Sequence, residues 1–218
     1  MYYIRMGGRT GANTARSCVR GRGSERGATL VEFAIILPIL VLLTFGIIEF
    51  GVAFNADSTV AQSSRAGGRT AAISSLDPAM EYHAIEAAAT ALNIDAGSVS
   101  GTPVVCVGKY NPASTNPCGD YSLSIALAHP TTPDSQVWRV PSTYYADPVQ
   151  QTYPNDNWPV TSRNFGCNGT FDKVVVHVEI RHKLLVPGIF STILGSDAPK
   201  LTSSSVFNLE PVPSGSCS

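Results

Sequence analysis

Between Phe33 and Ile48 the chain carries no charged residue, and after a single acid, Glu49, the apolar pattern resumes as far as Phe54. Some twenty residues at a rise of about 1.5 Å span roughly 30 Å, the thickness of the hydrocarbon core of a bilayer. The run therefore predicts one membrane-crossing helix. A secretory signal peptide would have a shorter apolar stretch and a small-x-small cleavage site. Ala53-Phe54-Asn55-Ala56 is a poor site of that kind, with Phe54 and Asn55 between the alanines and Glu49 upstream. The helix is expected to start at Gly27 and to continue past the apolar run, with Gly67-Gly68 loosening it.

Beyond that helix the pattern changes twice. Asp77-Pro78 reads as a helix start, an acid at the N-cap followed by proline at the first helical position. From Pro78 to Leu92, Met80, Ala84, Ala87, Ala88, Ala91 and Leu92 recur at helical spacing, and Gly97 follows as a stop. Alternation of period two then predicts strands at Thr102–Val107, Tyr121–Leu127, Lys173–Lys183 and Leu201–Leu209. In the third, Val174, Val176, Val178 and Ile180 share one face, and Val175, His177, Glu179 and Arg181 the other. The first two strands flank a turn-rich loop. Residues 129–170, punctuated by six prolines, read as a long surface excursion. The apolar stretch Leu184–Leu194 is expected to form a short helix after Pro187-Gly188. The fold class is α+β: an N-terminal membrane-spanning helix extending outward, a small helix and an antiparallel sheet of about four strands. The domains expected are a leader over 1–27, the long helix over 28–72 and an extracytoplasmic domain over 73–218.

Charge gives the helix a direction. Residues 1–27 hold six arginines and one acid, a net +5, whereas the rest of the chain has nine basic and fifteen acidic residues. A basic block before an apolar run predicts a cytosolic N-terminus and an extracytoplasmic C-terminal domain in a single-pass cell-membrane protein. Nucleic-acid binding is disfavoured, because no aromatics interleave with the arginines. Of five cysteines, Cys18 precedes the membrane segment, and Cys106, Cys118, Cys167 and Cys217 follow it. An even number on the oxidising side predicts two disulfides, of three possible connectivities. Cys106–Cys118 is favoured because the strands flanking their loop bring them together, which leaves Cys167–Cys217. The cysteine spacing does not suit zinc, whose ligand pairs stand two to four residues apart, and no metal or other cofactor is expected.

Candidate chemistry narrows to one residue. His177 and His182 are five apart in a strand and face opposite sides, so they cannot share a metal. No nucleophile elbow, P-loop or dinucleotide fingerprint occurs, and no catalytic residue is assigned. Asn168-Gly169-Thr170 matches a glycosylation sequon, a common tripeptide. Glu32 is different. An ionised carboxylate at the centre of a membrane helix costs at least about 2.5 kcal/mol, and an anchor alone has no use for one. Glu32 stands at the cytosolic mouth of the apolar run, and Glu49 about 25 Å further on, near the outer boundary.

Around Glu32 the order is Gly27-Ala28-Thr29-Leu30-Val31-Glu32-Phe33, then an apolar helix, all behind a basic leader. This resembles the processing site of type IV pilin-like proteins. With ILPILVLLTFGIIEFG after it, SSRAGGRTAA further on, and VEIRHKLLVPGIF and SSSVFNLEP near the C-terminus, the chain resembles the TadE-like minor pseudopilins of the tight-adherence (Flp) pilus system. The likeness covers about residues 27–72 and 173–211. It implies cleavage by a prepilin peptidase between Gly27 and Ala28, Glu32-Phe33 as the processing and assembly motif, and other pilins, pilus-assembly proteins and the bilayer as partners, in the membrane or in a surface pilus. It implies no enzymatic activity. The amine freed at Ala28 would lie one helical turn from Glu32, and pairing between neighbouring subunits would fix register in an apolar bundle. The competing class is a membrane-tethered extracytoplasmic enzyme or binding protein.

Overall fold

A computed structural model describes residues 23–129, 138–145, 157–166, 170–186, 188, 195 and 198–210. The element order is α1 (Gly23–Ile73), α2 (Met80–Ala91), β1 (Val104–Lys109), β2 (Asp120–Ala126), β3 (Lys173–Arg181) and β4 (Lys200–Asn208), with three short 3₁₀ turns. This is the α+β arrangement expected from the pattern. Residues 1–22 of the basic leader, Cys167, Cys217, the sequon asparagine and most of Leu184–Leu194 lie outside the described residues.

The chain divides into two units, residues 1–44 and 45–218, with the division inside α1. In the first unit, every described side chain from Gly27 to Thr44 is exposed. Among the described residues this helix is the one long and apolar enough to cross a membrane. It runs through Pro38, whose ring nitrogen cannot donate to the carbonyl of Ala34.

In the second unit, all four strands pair antiparallel in the order β2-β1-β3-β4. The register aligns Val105 with Val178 and Val107 with Val176, so one face of the sheet is a continuous aliphatic surface. Val105, Val107, Ile125, Val174, Val176, Val178 and Ile180 on that face are buried. The outer part of α1 and helix α2 pack as a layer against it, with Val60, Ala71, Met80, Ala84, Ile85, Ala88 and Leu92 in the same core. Ala87 and Ala91, assigned to this face by spacing, are half-buried, and Ile85 and Ala89 are buried instead. The helix starts at Met80, and Asp77 accepts a hydrogen bond from the Ala79 N–H (2.8 Å) one turn earlier.

Gly67 and Gly68 do not loosen α1, which continues to Ile73. They are the points of closest approach. A Cβ on Gly67 would stand 2.8 Å from the Ala84 carbonyl oxygen, 3.0 Å from Ala88 Cβ and 3.0 Å from Val176 Cγ1, and one on Gly68 would enter the ring of Phe207. Ser63 and Ser64 flank this seam and are fully buried. Ser63 donates to the Ala88 carbonyl (2.7 Å), and Ser64 bonds Ser203 and Ser205 of β4 (3.1 and 2.9 Å). The helix thus approaches the sheet closely enough for hydroxyl-to-hydroxyl contact.

Residues 129–170 are not only a surface excursion. Trp138 and Trp158 are 2% and 0% exposed, and Arg163 is 5% exposed. The two indoles provide apolar area that helices with so many alanines lack. Trp138 donates its Nε1–H to the Ile94 carbonyl (3.1 Å). A short antiparallel bridge, Ala128 with Arg139, holds this segment beside the end of β2.

Candidate functional site

Helix α1 carries two arrangements of charged residues, one in each unit. In the first, Gly27, Ala28, Glu32 and Phe33 are all exposed. Ala28 and Glu32, four residues apart, lie on one face. Nothing lies within 4 Å of a Cβ placed on Gly27, so packing does not require glycine there. Phe33 is 55% exposed and Leu30 69%. This stretch presents a carboxylate beside large apolar side chains on one helix.

The second arrangement centres on Glu49, which the sequence places at the outer boundary with no further role. The structure buries it, at 4% exposed. Its Oε2 accepts a hydrogen bond from the Leu185 N–H (2.9 Å), and its Oε1 stands 3.5 Å from Nε2 of His182. His182 is fully buried, just past the end of β3, and its backbone bridges Val99. A carboxylate, an imidazole and a backbone N–H thus join α1 to the strand end by buried polar contacts. Such contacts are costly to break, because a partner left behind stays desolvated.

The disulfide expected from the flanking strands is present. Cys106 and Cys118 are joined, with Cα atoms 5.8 Å apart. Both are buried, and the bond pins the loop after β1 back over the outer face of the sheet, where Val175 is also covered. His177, on that face, meets the Ser204 hydroxyl at 2.7 Å. It is well separated in role from His182, in keeping with their opposite sides of the strand. Among the described residues no group of three or more His, Cys, Asp or Glu side chains is placed to hold a metal ion.

One cluster is invisible to periodicity. Glu81 is fully buried on α2 and accepts the Asn157 N–H (2.8 Å). Burial pushes its carboxyl up to about 7, against the opposing pull of that N–H and of the Arg163 charge. The same burial pushes Arg163 down, opposed by Glu81 and Asp77. Arg163 donates from Nε to the Trp158 carbonyl (2.8 Å) and from Nη1 to the carbonyls of Ser75 and Asp77 (2.6 and 2.9 Å). Its guanidinium lies 5.7 Å from the Trp158 ring, and Lys109 Nζ lies 5.8 Å from the same ring. Perturbed titration often marks a catalytic group. Here both side chains are sealed from solvent and their hydrogen bonds are to the fold's own backbone, so the cluster acts as a fastener between the α1–α2 turn and the 157–166 segment.

Residues 27–69 match the family model described as TadE-like protein. The chain carries a TadE-like segment. It begins at the glycine of the predicted processing site and ends just after the Gly67-Gly68 seam, so both arrangements on α1 draw on it. No match is found among curated proteins or among solved structures. The matched segment is 43 of the 218 residues and lies wholly on α1. Its apolar helix is compatible with a single-pass membrane protein.

Proposed function

We propose that the protein is a minor pseudopilin or assembly component of a tight-adherence pilus. Helix α1 spans the membrane with its N-terminus in the cytosol. A prepilin peptidase cuts between Gly27 and Ala28, and subunits associate through their exposed helices. The amine of Ala28 pairs with Glu32 of a neighbouring subunit. The observation that carries this reading is the exposure of Gly27–Phe33 together with the empty space at Gly27. Among the described residues, no packing contact calls for a glycine at position 27, and Glu32 and Phe33 are exposed. Recognition by another protein accounts for all three.

Mass spectrometry of the protein from its native membrane tests the processing step. The mature chain is expected to begin at Ala28, and Gly27 replaced by a bulky residue is expected to keep its leader. Native protein that still begins at Met1, with the peptidase present, refutes the proposal.

A second reading is favoured by one cavity. A cleft of about 310 Å³ is lined by Glu86, Thr90, Trp138, Arg139 and Tyr145, which combines an acid, a guanidinium and aromatic edges. A membrane-tethered binding protein would use it. Ligand-dependent stabilisation of the full chain that is lost in Arg139→Ala, with pilus assembly unchanged by the same substitution, would favour this class over the first.

A further inference from the structure

The second unit has its own exposed apolar surface, separate from Leu30–Leu43. On α1, Phe50 and Phe54 are 73% and 77% exposed and share one face at a spacing of four. After β3, Leu185 is 56% exposed, although its neighbour Leu184 is buried. The bond from the Leu185 N–H to Glu49 Oε2 (2.9 Å) fixes the height of Leu185 along α1. Phe54 lies five residues beyond Glu49, about 7 Å further along the helix axis. Leu185 is therefore tied to α1 at a level below the last exposed phenylalanine. A layer that lies across the helix and covers Phe54 also reaches the level of Leu185.

We propose that Leu185 enters the outer leaflet beside α1, so that the membrane holds the second unit at two points, the helix and the chain leaving β3. The occupant is lipid because Phe45, Ile47 and Ile48, one to four residues before Glu49 on the same helix, are themselves 42%, 64% and 48% exposed. The charges nearby fit a headgroup boundary. Lys183, two residues before Leu185, is exposed, as is Arg181, and such side chains keep apolar stems in the interface with the cation at the phosphates. The sequence after Leu185 carries no charge as far as Leu194. Glu49 acts as the tie that sets the depth. Its carboxylate accepts the Leu185 N–H and stands beside the His182 ring, so the one acid in the outer part of the apolar run need not face hydrocarbon.

This inference rests on the membrane reading of α1, and the test separates the two. Full-chain protein, with a photoreactive diazirine analogue of leucine at position 185, is reconstituted in phosphatidylethanolamine and phosphatidylglycerol vesicles. Parallel proteins carry the same probe in place of Leu40 and of Val206, an exposed residue on the outer sheet face. After irradiation, lipid adducts are counted by mass spectrometry. Position 185 is expected to give adducts near the yield of position 40 and several-fold above position 206. The Glu49→Ala protein is expected to lose most of the yield at 185 and to keep that at 40. Adducts at 40 with only the 206 level at 185, or cross-links from 185 to a second protein, overturn the proposal and leave the membrane helix intact. No lipid adducts at 40 overturn both.

Discussion

Two glycines on one helix mark two different uses of α1. Gly27 stands in open space, and Gly67 stands where a single added carbon would meet a carbonyl, a Cβ and a methyl within 3.0 Å. Around Gly27 every described side chain is exposed, whereas around Gly67 the serines, alanines and glycines are buried against α2 and the sheet. Residue identity at the far end of the helix is explained by this chain's own fold. At the near end, packing among the described residues does not call for the glycine. The small residues near Gly67 are a packing requirement, whereas Gly27–Phe33 is exposed, as the proposed processing and assembly role requires.

The largest effects are expected in the packed half. Arg163→Ala removes three hydrogen bonds to backbone carbonyls and takes the guanidinium charge away from Glu81. A loss of roughly 3–5 kcal/mol is expected, as for one partner removed from a buried ionic site, read as a fall in the denaturation midpoint of the full chain in detergent. Gly67→Val overpacks the seam and is expected to cost about 3 kcal/mol in the same assay. Gly27→Val, with no neighbour to strike, is expected to leave that midpoint unchanged and to block processing. Equal destabilisation by the two valine variants would remove the contrast between the halves.

Glu81 supplies a pH test of the packed half. Its folded-state value of about 7 lies above the ordinary 4.5, so the folded state holds its proton more tightly than the unfolded chain does. The sign follows: stability from this group is complete below pH 4.5, declines as pH rises towards 7, and is flat above. The expected decline is about 3 kcal/mol. Glu81→Gln, which cannot ionise, is expected to lose that part of the pH dependence. An unchanged profile would show that the carboxylate reaches water or a stronger counter-charge.

A smaller effect is expected at the Glu49 joint. Glu49→Ala strands the Leu185 N–H and the His182 ring, and a cost of about 1–3 kcal/mol is expected for polar groups left buried. Glu49→Gln keeps an acceptor for the N–H and should cost less. These values rank Glu49 as a structural residue. They also reverse the weight that position along the chain suggests, which makes it a boundary residue of little consequence.

The elements that could be read from sequence are those with local signals. The strands at Val104–Lys109 and Lys173–Arg181 show period-two alternation, and α2 shows helical spacing between Asp77-Pro78 and Gly97. Cys106–Cys118 was legible because two strands flank one short loop. The Glu49–His182 contact joins residues 133 positions apart, and no local pattern encodes it. Glu81 occupies an acidic first-turn position that ordinarily faces solvent, and its burial depends on a segment beginning at Asn157. The one available hint was compositional: two tryptophans inside a proline-rich stretch are more apolar area than a surface loop needs. Gly67-Gly68 misled because helix propensity favours loosening, and close approach to Ala88 and Val176 outweighed it.

In the proposed function, the exposed half of α1 is an assembly device whose carboxylate meets a neighbour's new amine. Its most direct test is Glu32→Gln in cells that make the pilus, with cleavage, membrane insertion and subunit cross-linking followed together. The expected protein is inserted and cut after Gly27 yet fails to cross-link or to support pili, while the stability of the second unit is unchanged. A fully cleaved Glu32→Gln protein that assembles normally would contradict it.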